Sequence, residues 1–307
     1  MLFAHTHFLA DSQLTRQQLI YLITLAKEMK ANPQDYQQSL AGKSVVMLFE
    51  KPSLRTHISF DIGIQKMGGH AIYVGQQNGR LGVRERVTDV AKNLSCWSDA
   101  IVARVFKQNT LEELAMFAGI PVINALSDLY HPCQILADFL TLSENFGDLS
   151  SIKLTYAGVA NNISNSLMFM ASVVGIDFTL FCPKGYGPDS LLFDQALDLA
   201  KQSNASLTII NDTKLIGEQN VLYTDTWISM GDNSSINDLE PKLYPYQLNH
   251  DLVKKTGATA IMHCQPAHLG QEITRELFDS NYCLARQQAI NRMWVQNAVL
   301  FALFNNK

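Results

Sequence analysis

The chain has 307 residues, of which 47% are hydrophobic and 17% are charged, a balance that is typical of folded globular proteins and excludes a wholly disordered chain. Its 24 basic and 28 acidic residues give a formal net charge of −4, which argues against a protein that coats nucleic acid but allows a local basic pocket. The length is sufficient for two domains of about 150 residues each.

Apolar runs of strand length alternate with segments of helical period along the chain. Most of these runs are continuous, which is typical of parallel strands covered on both faces. The predicted strands are residues 44–49, 71–74, 100–105, 122–126, 153–158, 177–182, 206–211, 220–225 and 259–264. The predicted helices include residues 16–30, 54–67, 111–118 and 189–202. This order predicts an α/β protein with two doubly wound domains, each a mainly parallel sheet flanked by helices.

A long helix predicted over residues 131–146 marks the expected domain boundary, because a Gly-Asp pair follows it. We therefore expect a first domain over residues 1–146 and a second over 147–286. The apolar C-terminal helix needs a partner face, so residues 287–307 are expected to pack back on the first domain. The polar segment 232–247 contains prolines and lacks a helical or strand period, which favours a functional loop.

The cysteines and the apolar runs indicate the compartment. The five cysteines are scattered and form no Cys-x-x-Cys pair, so neither a disulfide framework nor a cysteine-rich zinc site is expected. The N-terminal segment lacks the features of a signal peptide, and no run of about 18 apolar residues occurs. We expect a soluble cytoplasmic protein without a membrane span.

The segment from Glu50 to His57 follows a predicted strand and begins a predicted helix. The N–H groups of a first helical turn and the helix dipole favour a bound anion. Ser53 and Thr56 add hydroxyl donors, and Arg55 adds a planar fork that matches phosphate geometry. A simple helix cap with solvated basic side chains would explain the same residues, so the pattern alone leaves anion binding open.

Polar side chains also follow the later strands of the first half. Arg104 ends one predicted strand, and His131 and Gln134 begin the long helix, one turn apart on the same face. In open α/β sheets ligands bind outside the carboxyl ends of the strands, and His131 could donate to an oxyanion there. A surface salt bridge for Arg104 and a helix cap for His131 are the alternatives.

The second half carries similar candidates. Residues 158–162, Gly-Val-Ala-Asn-Asn, lack the glycine pattern of a dinucleotide site, so the paired Asn161 and Asn162 either cap a helix or contact a small polar ligand. Asp225 could receive an amine or cap a helix, and Cys264 could be a tuned thiol or a small apolar core residue. Arg292 in an apolar helix favours an anionic partner unless its side chain reaches water.

In this order, the segments resemble the ornithine carbamoyltransferases, within the aspartate/ornithine carbamoyltransferase superfamily, over essentially the whole chain. Its Ser-x-Arg-Thr, His-Pro-x-Gln, Asp-x-x-x-Ser-Met-Gly, His-Cys-Leu-Pro and Asn-Arg-Met motifs all have counterparts here. The positions matching carbamoyl-phosphate contacts are Ser53, Leu54, Arg55, Thr56, Arg104, His131, Gln134, Gln265 and Arg292. The positions matching ornithine contacts are Asn162, Asp225, Ser229 and Met230.

The resemblance implies transfer of the carbamoyl group of carbamoyl phosphate to the δ-amine of L-ornithine, giving L-citrulline and phosphate in arginine metabolism. The catalytic residues that it implies are Arg104, His131, Asp225 and Cys264. It implies no metal or other cofactor and no nucleic-acid or membrane partner. It also implies a homo-oligomer, a trimer or a multiple of trimers, in which the loop at residues 78–88 completes a neighbouring subunit's site and Arg84 reaches the phosphate.

The acceptor follows from the charges of the matched residues. Asp225 suits an ammonium group and Asn162 suits an α-carboxylate, which favours ornithine over aspartate and, more weakly, over putrescine. Four positions depart from the family's pattern, namely His57, Val159, Gln265 and Ile290. They leave open a carbamoyltransferase for another amine, such as putrescine or a modified ornithine, or a catalytically silent paralogue. A nicotinamide dehydrogenase is a distant alternative, because the glycine fingerprint is missing.

Overall fold

The computed structural model describes residues 6–75, 80–228 and 236–305. The chain divides into two compact units, which we call unit 1 and unit 2. Unit 1 combines the chain up to Leu140 with the segment from Ile290 onward, and unit 2 consists of Thr141–Ala289. Among the described residues, no helix has the length and apolar character needed to cross a membrane.

Unit 1 contains a four-stranded parallel sheet with the strand order β2-β1-β3-β4. Its strands are β1 (Ser44–Phe49), β2 (His70–Val74), β3 (Ala100–Arg104) and β4 (Val122–Leu126). Its helices are α1 (Arg16–Ala31), α2 (Leu54–Lys66), α3 (Val87–Trp97) and α4 (Gln108–Phe117). Helix α5 (Pro132–Phe146) contributes its first residues to this unit.

Unit 2 contains a five-stranded parallel sheet with the strand order β7-β6-β5-β8-β9. Its strands are β5 (Lys153–Ala157), β6 (Asp177–Phe181), β7 (Leu207–Ile210), β8 (Val221–Thr224) and β9 (Ala260–His263). Its helices are α6 (Asn162–Val174), α7 (Ser190–Ser203), α8 (Ile236–Leu243), α9 (His250–Thr256) and α10 (Arg275–Phe278). The last helix, α11 (Ala285–Phe304), contributes residues to both units.

Each sheet has a point at which the strand order reverses, and the candidate residues follow the strands there. In unit 1 the chain leaves β1 on one side for β2 and returns on the other side with β3, whose last residue is Arg104. In unit 2 the same reversal lies between β5 and β8, which precede Asn161 and Asp225. Ligands of open α/β sheets bind at such switch points. The predicted α/β class with two parallel sheets is confirmed.

The central strands explain why these sequences form parallel sheets. Strands β3, β4 and β8 are buried along their whole length, as continuous apolar runs require. In unit 1 a core cluster joins strand residues such as Val46 and Ile101 to Leu111 and Leu114 of α4. The sheet therefore forms a rigid base from which the carboxyl ends of β1 and β3 present their polar residues.

One prediction about local structure is wrong. The segment 232–247 was expected to be an irregular loop, but its later part forms α8 and a short 3-10 helix at Tyr244–Tyr246. Leu239 and Leu243 are buried against Trp227, so a tertiary contact stabilises a helix that the polar composition and Pro241 disfavour.

Candidate active site

The N-terminus of α2 forms a cradle of polar groups in unit 1. Ser53 is the N-cap, and its Oγ accepts from the Thr56 backbone N–H at 3.3 Å and donates to the Thr56 Oγ1 at 3.0 Å. Thr56 is buried, Arg55 is half-buried, and the side chain of Leu54 is exposed, so Leu54 offers this cradle its backbone. The first-turn N–H groups together with these hydroxyls are a typical anion site.

The Arg292 guanidinium joins three helices of unit 1. Its Nη1 donates to the Gln134 Oε1 at 2.7 Å, and its Nη2 donates to the Thr56 Oγ1 at 2.8 Å. The Gln134 Nε2 in turn donates to the Asp138 Oδ1 at 2.8 Å. All four side chains are buried. The structure thus brings together three of the residues that the sequence singled out, from α2, α5 and α11.

His131 and Arg104 complete this group of buried residues. Burial and the positive charges of Arg292 and Arg104 hold the pKa of His131 well below its usual value of 6.5. The imidazole is therefore neutral at neutral pH and carries one N–H donor. Arg104 pairs with Phe49 in the β1–β3 register and is 3% exposed. Two buried guanidinium groups beside a neutral imidazole favour an anionic ligand.

Lys51 is a residue of this region that the sequence did not single out. It is buried, and burial followed by the repulsion of Arg104 lowers its pKa. Its Nζ lies 4.6 Å from the centre of the Phe106 ring. The preceding Glu50 accepts from the backbone N–H groups of Leu81 and Phe106 at 2.9 and 2.8 Å. The sequence signal for Lys51 is its position two residues before the Ser-x-Arg-Thr motif, where a lysine adds positive charge.

Arg84 lies apart from this group. It is exposed in a turn of unit 1 and takes no part in the hydrogen bonds that join Thr56, Gln134 and Arg292. Gln265, which the sequence grouped with the carbamoyl-phosphate contacts, belongs to unit 2. Ser229 and Met230 lie outside the described residues.

In unit 2, Asp225 stands at the centre of a second polar group. Its Oδ2 accepts from the Asn161 Nδ2 at 2.9 Å, and its Oδ1 accepts from the Cys264 Sγ at 3.1 Å. Asn162 is the first residue of α6 and is half-buried. The structure therefore brings Asp225 and Cys264 together and adds Asn161, which the sequence offered with Asn162 as a possible helix cap or ligand contact.

His263 holds the backbone of the next segment. Its Nδ1 accepts from the Gln265 N–H at 2.9 Å, so its Nε2 carries the proton and donates to the Glu272 Oε1 at 3.0 Å. His263 and Glu272 are both fully buried. Gln265 has a φ of 60°, in the left-handed region that a side chain disfavours. The bond to His263 stabilises that conformation and fixes the peptide beside Cys264.

Asp225, His263 and Cys264 form a group whose ligand atoms lie within 4.8 Å of one another, a spacing that a metal ion could use. The hydrogen bonds of this group have other partners, however. Both imidazole nitrogens of His263 are engaged, and the Cys264 thiol donates to Asp225. The three residues are therefore arranged as a hydrogen-bonded set that needs no cation to hold it together.

The departures from the family's pattern have local explanations. The His57 ring stacks on Tyr73 with ring centres 3.9 Å apart, and its Nε2 lies 3.9 Å from the Asp61 carboxylate. Val159 packs against the cluster of Trp227, where an acidic side chain would be unfavourable. Ile290 is exposed in α11. None of the three removes a polar side chain from either group.

Comparisons with known proteins match this chain over almost its whole length. The family model of the aspartate/ornithine carbamoyltransferase carbamoyl-P binding domain matches residues 6–144, and that of the Asp/Orn binding domain matches residues 150–303. The ornithine carbamoyltransferases of Shewanella oneidensis and a Vibrio species are 54% and 48% identical to it. Each covers 97% of this chain and is itself covered to 99%. The ornithine carbamoyltransferase structure from Pyrococcus furiosus is 37% identical and superposes with a TM-score of 0.93, covering 98% of this chain and 97% of that one.

The burial of His131 makes folding stability depend on pH. Because its pKa is lowered in the folded chain from 6.5, the unfolded chain binds a proton at higher pH than the folded one. Stability is therefore fully present above about pH 6.5 and is lost below it, by up to about 1.4 kcal/mol per pH unit. We expect the Tm of the wild type to fall more between about pH 7 and about pH 5.5 than the Tm of His131→Asn.

The matched control is His70→Asn, which replaces an exposed histidine of the same unit and should follow the wild type. Equal falls in Tm for the wild type and His131→Asn would contradict the effect of burial on His131.

Proposed function

The chain belongs to the aspartate/ornithine carbamoyltransferase family, and we infer that it acts as an ornithine carbamoyltransferase. It transfers the carbamoyl group of carbamoyl phosphate to the δ-amine of L-ornithine, giving L-citrulline and phosphate, a reaction of arginine metabolism. The observation that carries the assignment to this site is the buried contact of Arg292 with Thr56 and Gln134, which gathers the family's carbamoyl-phosphate positions around one guanidinium.

We propose that unit 1 binds carbamoyl phosphate through its cradle. The first-turn N–H groups from Leu54 onward, the Ser53 and Thr56 hydroxyls and the Arg55 guanidinium receive the phosphate oxygens. Arg292 adds positive charge to the cradle, because its guanidinium donates to the Thr56 hydroxyl. Arg84, exposed at the surface, is proposed to reach the phosphate of a neighbouring subunit.

The chemistry determines what the remaining groups must do. The neutral δ-amine attacks the carbonyl carbon, and negative charge develops on the former carbonyl oxygen. Arg104, His131 and Thr56 are the proposed donors to that oxygen, and Gln134 orients the carbamoyl NH₂. When the carbon–oxygen bond breaks, its electrons leave with the phosphate, and the proton lost by the amine ends on hydrogen phosphate. The neutral state of His131 suits this role, since a neutral imidazole offers one N–H without competing for the proton.

Unit 2 is proposed to bind ornithine. The Asp225 carboxylate receives an ammonium group, and Asn162 binds the α-carboxylate. Cys264 is proposed to contact the acceptor beside Asp225, to which its thiol donates a hydrogen bond. Ser229 and Met230 remain proposed contacts on the strength of the family motif. Gln265 is proposed to contact carbamoyl phosphate through its backbone, which His263 holds in place.

Removal of Arg55 tests the cradle. Arg55→Ala should lower kcat/KM for carbamoyl phosphate by about tenfold to hundredfold, because a charge-assisted hydrogen bond to phosphate is lost. The measurement is citrulline formed from carbamoyl phosphate and L-ornithine. The matched control Arg275→Ala, at an exposed position of α10, should stay within about twofold of the wild type. Full activity in Arg55→Ala would show that the phosphate binds elsewhere.

Acceptor recognition is tested at Asn162. Asn162→Ala should raise KM for ornithine by about tenfold, because the hydrogen bond to the α-carboxylate is lost. Putrescine has no carboxylate, so any slow turnover of putrescine should be unchanged by the substitution. The readout is the ratio of ornithine to putrescine turnover in the variant and in the wild type. An equal loss with both amines would remove Asn162 from carboxylate recognition.

We propose that the chain assembles as a trimer or a multiple of trimers, and the outer face of α2 supports this. Leu54, Ile58 and Ile62 are 77%, 42% and 42% exposed at intervals of four residues, so they form one apolar stripe. The edge strand β2 adds the exposed Tyr73, whose ring stacks on His57 of α2. Apolar stripes of this kind mark protein interfaces, and this one begins at the proposed phosphate cradle.

Ile58→Asp should therefore separate the subunits, because a charge would be buried in the proposed interface. Light scattering during gel filtration would show a fall in mass to that of a single chain. The control Leu191→Asp introduces the same charge at an exposed apolar position of α7 and should leave the mass unchanged. An unchanged mass for Ile58→Asp would exclude this stripe as the interface.

A cytoplasmic location is proposed from the cysteines. All five lie in the described part of the chain and carry thiols rather than disulfides. Cytosolic proteins keep their thiols reduced, whereas disulfides persist mainly in oxidising compartments.

A further inference from the structure

The Asn161 side chain faces two partners with its two ends. Its Oδ1 accepts from the backbone N–H groups of Ile163 and Ser164 at 2.9 and 3.1 Å, which caps α6. Its Nδ2 donates to the Asp225 Oδ2 at 2.9 Å. Because only the oxygen of an amide accepts and only the nitrogen donates, the two N–H groups of the helix fix which end faces Asp225. Capping thus determines the direction of the donor.

The Asp225 carboxylate is held at both oxygens. Asn161 donates to one oxygen and the Cys264 thiol donates to the other, at 2.9 and 3.1 Å. Both donors are neutral, so neither cancels the negative charge of the carboxylate. A carboxylate has about four lone-pair sites, and these two bonds leave positions for a cationic ligand. The pair therefore fixes the plane of the carboxylate without satisfying it completely.

A buried tyrosine holds the backbone that leads to this amide. The Tyr156 hydroxyl donates to the Val159 carbonyl at 3.2 Å, two residues before Asn161. Burial raises the pKa of Tyr156 well above its usual 10, so the phenol stays protonated. Tyr156 lies on β5 and stacks with Tyr223 on β8, the two strands that carry Asn161 and Asp225 at their ends. The sheet thus fixes the spacing between the amide and the carboxylate.

We propose that Asn161 is a positioning residue for carbamoyl transfer, whose amide orients the Asp225 carboxylate toward the ammonium of the acceptor. The inference rests on the proposed function, because Asp225 is proposed there as an ornithine contact. Asn161 and Asn162 then have different tasks. Asn162 contacts the acceptor, whereas Asn161 acts through Asp225 and couples the start of α6 to the end of β8.

Several titratable groups face Asp225 in the described part of unit 2. The Cys264 thiol and the His263 imidazole have ligand atoms within 4.8 Å of its carboxylate. Tyr156 interacts electrostatically with Asp225, Cys264 and Glu272. These groups are present in both the wild type and a variant at position 161. A difference between the two in the pH dependence of kcat/KM therefore comes from position 161.

The decisive variant is Asn161→Asp, because Asp caps helices as well as Asn does and has almost the same shape. When the new carboxyl is protonated, its O–H can donate to Asp225 as the amide does. When it is ionised, two carboxylates face each other and repel. We expect kcat/KM for ornithine to fall by about tenfold to hundredfold at alkaline pH. The kcat/KM of the variant, divided by that of the wild type at the same pH, should decrease as the pH rises from about 5 to about 9.

Two further variants make the result specific. Asn161→Ser keeps a capping oxygen but has no amide donor, so kcat/KM for ornithine should fall by a factor that does not change with pH. Asn249→Asp makes the same exchange at the N-cap of α9, where the side chain accepts from the Leu252 N–H, and should follow the wild type at every pH. The KM for carbamoyl phosphate should be unchanged in all three variants, and so should the Tm at acidic pH, where the new carboxyl of Asn161→Asp is protonated.

The outcomes separate the inference from the proposed function. If kcat/KM for ornithine in Asn161→Asp equals that of the wild type at every pH, the positioning role is overturned. A loss that is independent of pH and accompanied by a lower Tm would also overturn it, since capping alone would then explain the effect. A folded wild-type protein that forms no citrulline would overturn the proposed function itself, and with it the inference.

Discussion

The Arg292 guanidinium, buried among three helices, is the interaction on which the candidate site of unit 1 depends. It donates to Thr56 at the start of α2 and to Gln134 on α5, and Gln134 leads on to the Asp138 carboxylate. A buried cation costs several kcal/mol unless hydrogen bonds and opposite charge offset that cost. Asp138 supplies part of the offset within the chain. The phosphate of carbamoyl phosphate would add two negative charges beside Arg292 and Arg104, so the energy spent on burying the cations becomes affinity for the substrate.

The polar group of unit 2 carries the opposite charge. Its ligand carries an ammonium group, and the residue proposed to receive it is a carboxylate held by two neutral donors, Asn161 and Cys264. Both groups of residues occupy the switch point of a parallel sheet, where side chains from separate strands meet. The same architecture therefore presents positive charge in one unit and negative charge in the other, as the charges of carbamoyl phosphate and ornithine require.

Features set by local sequence were predictable, and features set by distant contacts were not. Continuous apolar runs indicated the parallel strands, and Ser53 followed by Thr56 indicated the capped start of α2, whose use as an anion site stays a prediction. The bond between Arg292 and Thr56 spans 236 positions, so no local pattern could reveal it. Helix α8 was missed because it depends on burial of Leu239 and Leu243 against Trp227. The role of Asn161 depends on the pairing of β5 with β8, which places its amide beside Asp225.

The most direct test of the central claim is a calorimetric titration of the wild-type protein with freshly prepared carbamoyl phosphate in the absence of an acceptor. If the buried cations of unit 1 form the site, one molecule should bind per chain, and Arg292→Gln should weaken binding by about tenfold or more while L-ornithine alone gives no comparable heat. Equal affinity for carbamoyl phosphate in the wild type and in a folded Arg292→Gln variant would contradict the account, because the charge on which the site is built would then contribute nothing.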